Sequence, residues 1–205
     1  RTMWMDKSMA KSFTIANSEE RGSLNLTGVD ALHQGIELEF ALYPVKDLTL
    51  RGMISLNDWR WTSNASGYSY DSQGQPMTIK GEQASGVGAP DHALTQVNLK
   101  DVRVGNSAQT TFALEGNYRV LKDIRFGLTY KYFARNYAEF RLRGQDMNIG
   151  GINDYKTPWR IPSAGELDAN LSWRFKFAGL DATVYGNINN VLNNIRISDA
   201  VDGSE

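Results

Sequence analysis

Residues 166–177 read ELDANLSWRFKF, in which Leu167, Ala169, Leu171, Trp173, Phe175 and Phe177 alternate without a break against Asp168, Asn170, Ser172, Arg174 and Lys176. A period of two places one set on each face of an extended strand, so this stretch is a β-strand with an apolar and a polar face. Six further segments share the pattern. Ile36, Leu38, Phe40 and Leu42 oppose Glu37, Glu39, Ala41 and Tyr43 within residues 34–43. Leu48, Leu50, Ile54 and Leu56 oppose Thr49, Arg51, Met53 and Ser55. Phe112, Leu114, Tyr118 and Val120 oppose Ala113, Glu115, Asn117 and Arg119, and Ile124, Phe126, Leu128, Tyr130 and Tyr132 oppose Arg125, Thr129 and Lys131. Residues 182–188 alternate likewise, and residues 3–15 do so less regularly. The five prolines fall outside these runs or at their ends, as ladder hydrogen bonding requires. No helical period is present. The reading is an all-β chain of about seven strands.

The connections alternate in length. Three are tight: YPVKDL at residues 43–48, RVLKDI at 119–124 and FAGLD at 177–181. Residues 62–93 and 141–165 are long and polar. A weak repeat, YPVKDLTLRG beside YRVLKDIRFG, marks two of the short turns as one unit used again. Short turns then lie at one end of the sheet and long loops at the other, the pattern of an up-and-down transmembrane barrel rather than of a sandwich with Greek-key crossings.

Which way the apolar face looks decides the function. Hydropathy does not settle it, because alternating strands average to a mildly polar value such as the mean of -0.43 here. No apolar run approaches the roughly 18 residues of a transmembrane helix. Tyr118, Trp173, Phe175 and Phe177 stand beside the short turns, where rings suit a membrane interface. Arg51, Glu115, Arg125, Lys131 and Arg174 occupy the other face in mid-strand. A wet lumen tolerates these groups, whereas lipid at midplane would charge roughly 2–4 kcal/mol for each Arg or Lys. An antiparallel transmembrane barrel wall is the favoured reading, with a soluble antiparallel sandwich as the alternative.

Three stretches resemble one family. Residues 25–50, NLTGVDALHQGIELEFALYPVKDLTL, are similar to a strand–turn–strand of TonB-dependent outer-membrane receptors, with a G-(I/V)-E start and an L-x-L return. Residues 109–140 resemble the late barrel hairpin of that family, and NINNVLNNIRISDA at 187–200 resembles its NxxNLFNxxY element. Val191-Leu192 stand for the usual Leu-Phe, and Arg196 sits near the usual Tyr. The resemblance implies part of a larger barrel of about 22 strands, in the outer membrane of a Gram-negative cell. On this reading residues 1–205 are a C-terminal barrel segment, without the plug domain and the last strand. The implied function is active import of a scarce solute, with an iron–siderophore complex as the commonest cargo. Implied partners are outer-membrane lipid, the rest of the barrel and plug, and the TonB–ExbB–ExbD system acting through the plug. The competing functions are a soluble carbohydrate-binding sandwich and a diffusion porin.

Chemistry-bearing motifs are sparse. There is no cysteine, which excludes disulfides, thiolate nucleophiles and Cys-based metal sites. His33 and His92 stand far apart without a second ligand at metal spacing; His33 reads as a lumen or loop residue. GVGAPD at residues 86–91 is a poor phosphate loop because no helix follows. Asp199 and Asp202 lack the ligand count of a calcium loop. No catalytic residue, metal site or cofactor is expected, and a net charge of -1 offers nucleic acid no basic stripe. Binding is expected instead from aromatic and guanidinium groups at the long-loop end. These are Trp59, Arg60, Trp61, Tyr68 and Tyr70, with Arg141, Arg143, Tyr155, Trp159 and Arg160. Such groups suit a planar or anionic ligand such as a metal chelate, and equally an aromatic girdle among solvated charges.

Overall fold

The computed structural model describes residues 2–14, 20–140, 150–155 and 157–202. These form twelve strands: β1 (Thr2–Thr14), β2 (Arg21–Val45), β3 (Leu48–Trp61), β4 (Ala65–Tyr70), β5 (Leu94–Asn98), β6 (Thr110–Leu121), β7 (Ile124–Ala134), β8 (Asn136–Tyr137), β9 (Ile152–Asp154), β10 (Arg160–Ile161), β11 (Ala164–Phe177) and β12 (Leu180–Ile188). Ten join one sheet in the order β12-β11-β7-β6-β3-β2-β4-β5-β9, with β1 also on β2. Several are collinear. Trp61 faces Ala31 and Ser66 faces Thr27, so β4 prolongs β3 after a one-residue slip. In the same way β6 continues β5, β8 continues β7 and β11 continues β10. The seven strands expected from the alternation are these tracks, and β9 adds a short parallel pairing to β5.

The register puts every apolar run on one face. Ile36 faces Leu56, Ile54 faces Leu38 and Phe112, Tyr118 faces Leu48 and Phe126, and Leu171 faces Phe126. The other face carries Arg51 beside Glu115, Thr129 beside Asp168, and Lys131 beside Glu166. A sandwich would bury the apolar face against a second sheet. Instead Ile36 is 75% exposed, Leu38 58%, Leu171 49% and Leu128 39%. Among the described residues no layer covers them. An apolar expanse of this kind, on a sheet whose reverse carries the charges, is what the lipid-facing side of a barrel wall presents.

The turns close one end. Lys46-Asp47, Lys122-Asp123 and Ala178-Gly179 each join two strands in two residues. Asp47 takes a φ of 86°, a left-handed conformation that Asp tolerates better than most residues because its short side chain bonds locally. Neighbouring turns are tied together. The Arg119 amide donates to the Asp47 carbonyl at 2.8 Å, and the Arg174 amide to the Asp123 carbonyl at 2.8 Å. The repeated VKDL and LKDI sequences thus serve one local device.

At the other end the strands run well beyond the alternating stretches. β2 has 25 residues, about 80 Å of chain, whereas a barrel's apolar band is about 25 Å tall. Within β2 lies a bulge at Gly28, whose φ is 71°. Lys7 faces Val29 and Met9 faces Leu26, so β2 carries one residue more than β1 there. The bulge moves Leu24 and Leu26 onto the face of Val29 and Ala31, which is the polar face lower down. The four are at most 1% exposed. They pack with Phe13, Trp61, Met77, Val97, Leu99, Val102 and Phe140. The dry core of the molecule therefore sits on the water side of the wall, under the long loops.

Candidate functional site

The expected loop of residues 62–93 is more ordered than its composition suggests. Its first part is β4, which places Tyr68 and Tyr70 on a strand rather than in a loop. Asp71 Oδ1 accepts from the amides of Gln73 and Gln75 at 2.8 and 2.7 Å, and the Thr78 hydroxyl from those of Lys80 and Glu82 at 3.3 and 3.2 Å. Met77 donates to the Ser69 carbonyl at 3.0 Å, and Ala93 to the Met77 carbonyl at 2.8 Å, so the excursion is stitched to β4 along its length.

His92 locks its return. The ring is 5% exposed, stacks on Tyr68 with centroids 4.5 Å apart and meets the Tyr70 ring edge-on at 5.1 Å. Its Nδ1 accepts from the Gly88 amide at 2.9 Å, which leaves the proton on Nε2 to donate to the Ser69 carbonyl, also at 2.9 Å. The adjacent Asp91 accepts from the hydroxyl and the amide of Ser85 at 2.8 and 2.9 Å. The Ser85 hydroxyl first, and its amide second, hold the Asp91 carboxyl below the usual range. The GVGAPD stretch is a turn closed on its own carboxylate, with no helix after it.

Between this excursion and β5–β9 lies an open cleft of about 780 Å³. Ile79, Leu94 and Ile152 present apolar surface to it, while Lys80, Glu82 and Gln96 supply polar groups. The cleft lies at the long-loop end, where binding was expected, but among the described residues none of the expected contact residues lines it. The signal of its walls in the sequence was weak, since Ile79, Leu94 and Ile152 are single apolar residues in polar surroundings.

The expected contact residues do not converge on one site. Trp59 leans on His33 with ring centroids 5.2 Å apart, and its backbone is clasped by the buried Gln109 amide at 3.2 and 2.9 Å. Both rings share the polar face of the wall. Arg60 lies on the opposite, outward face, opposite Leu32, and pairs with Asp101 at 3.3 Å and Asp58 at 3.7 Å. Trp61 is in the core, edge-on to Phe140 at 6.2 Å, and Tyr155 packs on the same ring at 5.3 Å. Lys11 lies 4.5 Å over that ring and pairs with Glu139. Trp159 and Arg160 stay exposed beside β8, where the Ala138 amide donates to the Trp159 carbonyl at 2.9 Å. Arg141 and Arg143 lie outside the described residues.

The asparagine-rich segment after β12 folds back over the polar face. Asn190 Nδ2 donates to the Asn194 carbonyl at 2.9 Å, and the Asn194 amide returns a bond to Asn190 Oδ1 at 3.1 Å. Asn194 also reaches the Gly165 carbonyl, and the Asn190 amide reaches Asp168, which pairs with Lys131 at 2.6 Å. Arg196 bonds Glu166 at 2.6 Å and covers the Phe133 ring at 4.4 Å. Beyond it, the Glu139 amide donates to the Ala200 carbonyl, and the Asp202 amide to that of Glu139. Asp199 accepts from Ser198, and no group of three His, Asp or Glu fit for a metal occurs among the described residues.

A two-faced antiparallel sheet, with two-residue turns at one end and stitched loops at the other, defines the wall of a transmembrane β-barrel. The family model described as TonB dependent receptor-like, beta-barrel matches residues 13–191. The chain belongs to this family of outer-membrane transport receptors, which are not enzymes. No curated protein matches the chain.

Proposed function

We propose that the chain supplies part of the wall and outer loops of a receptor that imports a scarce solute across the outer membrane, an iron–siderophore complex being its cargo. The observation that carries this reading is the family match over residues 13–191. β12 and residues 36–45 of β2 each keep one edge without a strand partner among the described residues. Hydrocarbon does not tolerate unpaired backbone, so the sheet belongs to a larger closed barrel. A plug inside that barrel couples it to the TonB–ExbB–ExbD system. The cargo meets the outer cleft, whose volume of about 780 Å³ suits a compact chelate. The exposed Trp159 and Arg160 and the strand-borne Tyr68 and Tyr70 flank the outer loops; Trp61 contributes packing instead.

Uptake of radiolabelled ferric siderophores by cells with and without the receptor tests the reading. Uptake that requires both the receptor and an intact proton-motive force is expected. Uptake that survives an uncoupler would indicate a diffusion porin, and indifference of every ferric chelate to the receptor would remove iron as cargo.

A further inference from the structure

The turn end of the wall carries an uneven set of charges. Arg119 and Arg125 face each other across β6 and β7, and Arg119 is matched by Asp47. Lys176 stands opposite Asp181 on β11 and β12. Arg125 and Arg174 have no ion-pair partner among the described residues. Both share the polar face, since Arg125 is opposite Ser172 and Arg174 opposite Thr183. They line one pocket of about 140 Å³ with Lys122, Asp123 and the hydroxyl-bearing Ser172, Thr183 and Tyr185. Three cations against one carboxylate leave a net charge of +2 in a concave, hydroxyl-lined site. Side chains two residues apart on adjacent strands lie about 7–8 Å from one another, a span that one oxyanion bridges with a guanidinium on either side.

From this arrangement we infer that the pocket at the inner rim of the barrel binds an oxyanion. Arg125 and Arg174 clamp it, and Ser172, Thr183 and Tyr185 donate to its remaining oxygens. The oxyanion is a free phosphate or the carboxylate of a protein segment at the inner mouth, and the two share this chemistry. The site faces the lumen and the turn end, so it is separate from the outer cleft, and the assignment is the same for every cargo the cleft could take. The turn beneath it is braced by the bond from the Arg174 amide to the Asp123 carbonyl, which fixes one wall of the pocket before any anion arrives.

The test uses the receptor in neutral detergent at low ionic strength, with inorganic phosphate and a blocked tri-glutamate peptide as probes. Saturable binding of at least one probe is expected, weakened at least tenfold in the Arg125→Gln/Arg174→Gln double variant. Tighter binding of phosphate identifies a small anion, and tighter binding of the peptide a protein carboxylate. Failure of both probes to saturate, or equal binding by the double variant, overturns the assignment. If the double variant does not fold, phenylglyoxal labelling of the unmodified receptor decides. Phosphate or peptide should slow modification of Arg125 and Arg174 severalfold relative to Arg60, and an unchanged ratio with both probes overturns the inference.

Discussion

Asn190 and Asn193 take φ values of 52° and 51°, a region costly for most side chains and open to asparagine, whose amide bonds the nearby backbone. The reciprocal bonds between Asn190 and Asn194 are that compensation. The asparagines of NINNVLNN are thus chain-turning residues first. Asp91 acts similarly in the outer excursion, where its carboxylate gathers both donors of Ser85. Because its folded-state pKa is lowered, its contribution to the turn is complete above about pH 4 and is lost as the pH falls through the lowered value. Hydrogen exchange at the Ser85 amide, corrected for its intrinsic rate, should lose protection only as the pH falls below about 4. An Asp91→Asn variant should show no such step. His92 was legible only as an isolated histidine, because its partners Tyr68, Ser69 and Gly88 converge through the fold rather than through spacing.

Elements are where the alternating pattern speaks most directly. Leu128 and Thr129 are neighbours in β7, the first opposite Gly116 and Ala169, the second opposite Glu115 and Asp168. Leu128→Arg should therefore destabilise the barrel by roughly 2–4 kcal/mol, whereas Thr129→Arg should cost well under half of that. Urea unfolding in lipid vesicles measures both, and equal costs would sink the assignment of faces. The two-residue turns were read correctly because their strands alternate right up to them. β2 was read too short: the expected strand began at residue 34, whereas it starts at Arg21. Towards the long loops Val29 and Ala31 bring buried apolar side chains to the face that is polar lower down. The bulge at Gly28 then shifts the side-chain order by one, so a strict period-two reading stops short of Arg21.

At the scale of the molecule, the wall is divided by height. Lower down it separates lipid from water, with ion pairs such as Lys131–Asp168 on the wet side. Higher up the wet side is covered by Trp61, Met77, Leu99, Val102 and Phe140, which pin the loops to the strands. Phe140 is 3% exposed and gathers Trp61, Tyr155 and Lys11 around one ring. Phe140→Ala should cost this outer core about 3–5 kcal/mol. Limited proteolysis should then cut the outer loops at least tenfold faster, while the heat-modifiable mobility of the barrel persists. Loss of that mobility would show that the core and wall are one cooperative unit.

The amino-acid order by itself determined an antiparallel sheet with two unlike faces, the position of its tight turns and the family to which it belongs. Those properties rest on period-two patterning and on short local motifs, which neighbouring residues encode. Tertiary structure decided that Trp61 and Tyr155 pack around Phe140, that Arg60 looks outward, and that the cleft is walled by Ile79, Leu94 and Ile152. Each of these depends on residues far apart in the chain meeting across strands, and on one bulge that changes which face a side chain occupies. No local pattern carries that information.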